Sequence, residues 1–283
     1  MTSTPLVRGL WRSSHPGPTM VVTALAGVLA VSAGLELWRI LLLVVAVFAG
    51  QLSIGLSNDA IDAERDRAVG RTDKPIARGD ITVRTAWTAA ILCVVAALGL
   101  SAPLGLPLLG AHAVALISAW SYNLGLKATP VSVVPYMVTF GIFPSLAVLS
   151  ADQPQWAAAW AWCAGAALGV ALHLTNVLPD LDDDAQTGIR GLPHRLGGGP
   201  SALVASAALV AGAYAATAGP REWDIAEVSA LSWVFFGLVL VVAVITVSLG
   251  RRERMGRMQF RLAMFAALVL AAQLVASGGS LTT

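Results

Sequence analysis

Two stretches of the chain carry carboxylates at four-residue spacing behind an asparagine, and one repeats the other. Asn58, Asp62 and Asp66 are followed by Gly70, Pro75 and Gly79. Shifted by 118 positions, the same residue types recur as Asn176, Asp180, Asp184, Gly188, Pro193 and Gly197. Carboxylates four apart stack along one face of a helix and repel one another when bare. A divalent cation is their natural counter-charge. Magnesium in particular takes a few carboxylate oxygens while substrate phosphates complete its octahedral shell. The pattern therefore predicts a Mg²⁺ site with Asn58, Asp62, Asp66, Asn176, Asp180 and Asp184 as ligands, holding a diphosphate between two acidic faces. Asp59 adjoins the first ligand position and is read as a metal or water contact, whereas Asp182 and Asp183 are expected off the shared face. No His or Cys pair stands at zinc-ligand spacing. The bland alternative for either stretch alone is a solvated charge cluster at a membrane surface. Six identities at one offset argue against it for both.

A diphosphate also wants direct positive charge. Lys127 stands five residues beyond Tyr122, Arg71, Lys74 and Arg78 follow the first motif, and Arg190 and Arg195 follow the second. These side chains suit neutralising phosphate oxygens and steadying a departing diphosphate, although some serve only to orient the chain, and a lone interfacial Lys127 is open to that same reading. His173 lies one turn before Asn176, and Gln51 two turns before Asn58, on roughly the same faces. Each is either an acceptor-orienting group or a structural one. His112 is expected to pack against a neighbouring helix carbonyl.

The elements that must position these groups are membrane helices. Apolar residues make up 57% of the chain and charged residues 12%, with a mean hydropathy of +0.74, far from the balance of a soluble domain. A helix needs ~20 mostly apolar residues to cross a bilayer. Nine stretches qualify, roughly 18–35, 36–57, 84–102, 106–124, 131–151, 155–178, 200–218, 226–249 and 259–277. Their near-continuous apolarity excludes a barrel, whose segments alternate. The expected fold is an all-α, nine-helix membrane bundle with a central cavity capped by cytoplasmic loops. Residues 1–17 would be a mobile cytoplasmic lead-in and 18–283 a single transmembrane domain. If alternate loops share a side, 16 of the 18 Lys and Arg residues, Arg251, Arg252 and Arg254 among them, fall on that side, and only Arg39 and Arg221 on the other. The positive-inside rule makes the rich side, with both acidic motifs, cytoplasmic. An integral protein of the plasma membrane with its C-terminus outside follows. The offset aligns helices two and three with six and seven in the same orientation, a parallel repeat that would set the acidic faces across a cavity. A cleaved signal peptide over 1–34 is the alternative for the N-terminus. Cys93 and Cys163 read as small core residues, and Trp38, Trp87, Trp120, Trp156 and Trp223 as interfacial anchors.

With Asn58-Asp59-x-x-Asp62-x-x-x-Asp66, Lys74-Pro75-x-x-x-Gly79, Tyr122 to Lys127 and Asp180-x-x-x-Asp184 together, the chain resembles the UbiA prenyltransferase superfamily over nearly its full length. The resemblance implies nine transmembrane helices, Mg²⁺-dependent ionisation of an isoprenyl diphosphate, and transfer of the prenyl group to an aromatic or lipid acceptor within the membrane. It implies a role for Asp62, Asp66, Asp180, Asp184 and Lys127 in the chemistry. Substrate contacts would come from Asn58, Asp59, Arg71, Lys74, Tyr122, His173, Asn176 and Arg195. No nucleic-acid partner is expected. Two departures stand out. Lys74 replaces the arginine common before the proline, a point charge in place of a fork. Asn176 precedes Asp180 where the 4-hydroxybenzoate enzymes carry Tyr-Ala, which is similar to the branches acting on dihydroxynaphthoate, chlorophyllide or glycerol-phosphate lipids. A membrane terpene cyclase would need the same metal face, and a non-prenyl diphosphate donor would satisfy it too. A transporter would place its acids deep in the spans rather than at one end.

Overall fold

The computed structural model describes residues 5–186, 188–250 and 256–282 and is all-helical over them. In chain order the helices are α1 (Pro5–Ser13), α2 (Pro16–Ser32), α3 (Leu37–Ala68), α4 (Pro75–Arg78), α5 (Val83–Ser101), α6 (Leu106–Asn123), α7 (Val134–Leu149), α8 (Ala159–Val177), α9 (Leu181–Gln186), α10 (Leu192–Leu196), α11 (Gly198–Ala218), α12 (Ala230–Gly250) and α13 (Gly256–Ala276). Prolines in the first turn of α2, α4 and α10, where an amide N–H would be orphaned anyway, fix the starting φ of each helix. Among the described residues six helices are long and apolar enough to cross a bilayer: α3, α5, α8 with its 3-10 extension, α11, α12 and α13. The pair α1–α2, bent by 69°, makes seven if it counts as one span, and α7 is a shorter apolar helix.

The repeat in the sequence is a repeat in the packing. Helix α3 packs between α2 and α5, and α8 packs between α7 and α11. Moving Leu37–Ala68 by 118 gives 155–186, the stretch from α8 through α9, and moving α4 lands on α10. Helix α13 then closes the bundle against α2, α8 and α12. The tightest seam joins α7 to α8. A Cβ on Gly165 or Gly169 would collide with the carbonyls of Phe140 and Tyr136. Glycines four apart thus let two backbones meet where lipid offers no hydrophobic drive for association.

The structure bears on several expectations and alters some of them. Within the 1–17 segment, Pro5–Ser13 is helical, and Gly9 lies against Ile81. Cys93 is half-buried and Cys163 exposed, so neither is the core residue the apolar surroundings suggested. Trp38, Trp156 and Trp223 are exposed, whereas Trp120 turns inward, donating Nε1–H to Ser53 Oγ at 3.0 Å and packing on Trp87. His112 pairs through Nδ1 with the Ser101 hydroxyl at 2.8 Å rather than with a carbonyl of another helix. Arg251, Arg252 and Arg254 lie outside the described residues, as do the side chains of Asp182 and Asp183.

Candidate functional site

Helix α3 has 32 residues, about 48 Å at the usual rise, so it outruns a ~30 Å hydrocarbon layer. Its surplus turns carry Asn58, Asp62 and Asp66, and both carboxylates are buried at the end of the bundle. The helix stops on Gly70, whose φ of 69° suits glycine and few other residues. There the Arg71 amide returns to the Asp66 carbonyl at 2.9 Å. The second motif ends the same way, on Gly188 with φ 83°, where the Ile189 amide returns to the Asp184 carbonyl at 2.9 Å. Gly79 and Gly197 also take positive φ, at 85° and 83°. The glycines and prolines shared at one offset are therefore the stops and starts that aim two acidic segments.

The two ladders differ in one respect that equal spacing concealed. Asp62 and Asp66 ride a continuous helix, but Pro179 interrupts the second. Residues Leu178–Asp180 form a 3-10 turn between α8 and α9, because proline has no N–H to continue the ladder of bonds. Asn176, Asp180 and Asp184 thus do not stack on a single regular helix.

Both motifs line one cavity of about 560 Å³. Asn58, Asp62, Asp66, Asn176, Asp180 and Asp184 are in its wall, together with Arg71, Lys74, Tyr122 and Lys127. Asp59, His173 and Arg195 are not. Asp59 is buried and ion-paired with Lys74 and with His15 Nε2 at 2.9 Å, two side chains that do line the cavity. His173 is fully buried and meets Ser132 Oγ at 3.0 Å, behind the edge-on rings of Tyr122 and Tyr136. Arg195 is exposed and donates Nε–H to the Arg190 carbonyl at 3.3 Å. Gln51 also lines the cavity; deeper in, the wall is apolar, with Val22, Leu25, Phe140, Phe143 and Met264.

Charges in the wall are cross-connected. Lys127, on a 3-10 turn after α6, forms an ion pair with Asp62. Burial lowers its pKa, against the upward pull of Asp62. Arg65 reaches Asp62 at 2.9 Å and Asp184 at 3.7 Å, one carboxylate from each motif. Arg71 grips Asp73 through two nitrogens and Asp180 through Nη1 at 3.1 Å. The fork holds Asp73 down at about 2 and raises the guanidinium's own pKa. Asp184 is pushed up to about 6, by burial first and then by Asp180 and Asp62, despite Arg65 and Lys127. His194 sits 3.6 Å from Asp184 with both ring nitrogens lacking a hydrogen-bond partner among the described residues, and burial lowers its pKa. On the far rim, Arg257 approaches Asp73 at 3.6 Å.

As they stand, no three of the acidic or histidine side chains among the described residues are close enough to hold a metal ion. Oxygens of Asp62, Asp180 and Asp184 are engaged by the chain's own cations. The donor set still fits a hard divalent cation: only oxygen donors, contributed from both motifs around one cavity, with partners that a stronger cation displaces. Sequence reasoning passed over Arg65, His194, His15 and Arg257, all of which line this cavity. For Arg65 a signal existed, since it lies three residues after Asp62 and so on a neighbouring position of the same face.

Comparisons with known proteins give a family match and a shared fold. The sequence model of the UbiA prenyltransferase family matches residues 20–277. The chain is 30% identical over 190 residues to the digeranylgeranylglyceryl phosphate synthase of Methanopyrus kandleri, covering 65% of this chain and 68% of that one. Among solved structures, the apo UbiA homologue of Aeropyrum pernix K1 superposes with a TM-score of 0.75 at 18% identity, covering 92% of this chain and 98% of the other. The UbiA homologue of Archaeoglobus fulgidus, bound to GPP and Mg²⁺, gives 0.71 at 17% identity, covering 95% and 98%.

Proposed function

The chain belongs to the UbiA prenyltransferase family and is a prenyltransferase, and we propose that it moves a prenyl group from an isoprenyl diphosphate to a lipid or aromatic acceptor inside the membrane. The single observation that carries this reading is the cavity: acidic motifs and cations at one end, apolar helix faces at the other. A diphosphate belongs at the first and an isoprenoid tail in the second. Of the two acceptor classes, the Methanopyrus relative, a synthase of digeranylgeranylglyceryl phosphate, favours a glyceryl phosphate lipid.

Asp62, Asp66, Asp180 and Asp184, with Asn58 and Asn176, would hold magnesium, which when bound supplies charge that draws electrons from the leaving diphosphate. Lys127, Arg71 and Lys74 neutralise phosphate oxygens as the C–O bond breaks. The rings of Tyr122 and Tyr136, at 5.1 Å edge to face, offer electron density to the allylic cation. Phe140, Phe143, Val22 and Leu25 keep water from quenching it. Asn176, which donates Nδ2–H to the Tyr136 hydroxyl at 3.3 Å, orients that phenol. Nine spans, with α6 and α7 crossing alongside the longer helices, and both acidic motifs facing the cytoplasm of a plasma membrane complete the proposal; the one-sided arginines and lysines support it.

The test is turnover in nanodiscs with Mg²⁺, geranylgeranyl diphosphate and a glyceryl phosphate acceptor, reading diphosphate release and the prenylated product. Asp62→Ala and Asp180→Ala should each abolish release while the protein still inserts and folds. Full turnover by either variant would refute the assignment.

A further inference from the structure

We infer that Arg65 is a built-in counter-cation that joins the two acidic motifs in the metal-free protein and yields its place to the divalent ion. Arg65 lies on α3 between the carboxylates of the first motif. Its Nη2 sits 2.9 Å from Asp62 Oδ2 and 3.7 Å from Asp184 Oδ1, and its side chain is 22% exposed. Asp62 comes from the third helix of the chain and Asp184 from the ninth, so this one guanidinium ties the two repeats across the cavity. Among the described residues the other cavity cations are arranged differently: Lys127 pairs with Asp62 and acts on Asp184 only through space, Arg71 links Asp180 to Asp73, and Lys74 faces Asp59. His194 touches Asp184, but a ring whose protonation burial disfavours contributes little charge.

The consequence is competition. Carboxylates that ligate a metal cannot also be neutralised by Arg65 without excess positive charge in the cavity, so the metal displaces it. The displaced guanidinium remains in the cavity wall, where it faces the phosphate oxygens that arrive with the donor. Metal alone must break the Arg65 bridge; metal with diphosphate gives Arg65 a new anion. Binding of the two is then cooperative through this side chain, and their coupling is reciprocal. Arg65 is accordingly a positioning residue for the acidic motifs. The inference rests on reading the cavity as the site of a divalent ion and a diphosphate.

Calorimetry on the purified full-length protein separates the two. MgCl₂ is titrated in the absence and in the presence of inorganic pyrophosphate, and thermal unfolding is recorded for each state. In Arg65→Gln, removal of the competing cation should tighten Mg²⁺ binding without pyrophosphate by about fivefold or more, and pyrophosphate should enhance it less than in wild type, by a similar factor. The metal-free variant should melt earlier, and Mg²⁺ should restore more of its melting temperature than it adds to wild type. Arg65→Lys keeps the charge but loses the fork, so it should fall between the two. Equal Mg²⁺ affinity and equal enhancement by pyrophosphate in wild type and both variants would overturn the inference. Failure of wild type itself to bind Mg²⁺ with pyrophosphate would instead overturn the reading of the cavity.

Discussion

Lys127 is the sharpest place to perturb the proposed chemistry, because two readings of it make opposite predictions. As a topology anchor it would matter to insertion alone; as the cation beside the diphosphate it would matter to bond breaking. Its side chain is 10% exposed and that of its partner Asp62 is 7% exposed, so solvent screens the pair little. At an effective dielectric of about 20, two unit charges ~4 Å apart interact by roughly 4 kcal/mol, much of it offset by the burial that lowers the Lys127 pKa. In Lys127→Ala, Asp62 keeps Arg65 at 2.9 Å, so the folded state should lose only about 1–3 kcal/mol. At the transition state the preorganised ammonium itself is missing, whatever Arg65 supplies from its own position. Loss of one preorganised charge at a developing anion costs about 10²–10³ in kcat. Lys127→Arg preserves the charge and should recover most of that, with a residual deficit because a guanidinium is larger than the ammonium it replaces. The assay is diphosphate release in nanodiscs at saturating Mg²⁺ and donor, with thermal unfolding on the same samples. Turnover by folded Lys127→Ala within about threefold of wild type would show that the side chain only anchors the loop.

Three further outcomes follow from the same coordinates. Asp184 must lose its proton to ligate a cation and is pushed up to about 6, so Mg²⁺ binding should be nearly flat above pH 7 and weaken towards about tenfold per unit as pH falls below that value; pH-independent calorimetric affinity from 7.5 to 5.5 would contradict it. Gly169→Leu drives a side chain into the Tyr136 carbonyl and should cost about 1–3 kcal/mol by overpacking, visible as a lower melting temperature in detergent and, because Tyr136 shifts, as reduced turnover. Phe143 is buried at the apolar end of the cavity; Phe143→Ala should raise kcat/KM for longer isoprenyl diphosphates relative to shorter ones, read by mass spectrometry of products from mixed donors, and an unchanged ratio would place the tail elsewhere.

What the sequence disclosed and what it withheld divide along a physical line. Gly70 and Gly188 were legible because a positive φ admits few residues other than glycine, and Pro75 and Pro193 because a first-turn proline fixes a helix start. Such constraints act within a few residues, so duplicating them duplicates the local path of the chain, and the repeat of α3–α5 in α8–α11 could be read from letters alone. The all-α membrane fold was legible for a similar reason, since a bilayer demands long apolar runs irrespective of their neighbours. Pairings across the cavity obey no such local rule. Spacing tells that Arg65 shares a face with Asp62, but not that α9 brings Asp184 within 3.7 Å of the same guanidinium. Nor does it tell that Asp59, adjacent to a ligand position, is held by Lys74 and His15. Pro179 was visible, and its effect on the second ladder was still missed, because equal spacing was taken to mean equal geometry. The acidic motifs are therefore best understood as two locally specified arms whose joint charge is balanced only by residues that tertiary structure selects. Their identical spacing leaves open which cations hold them before metal arrives, and in this chain Arg65 is the one that reaches Asp62 and Asp184 together.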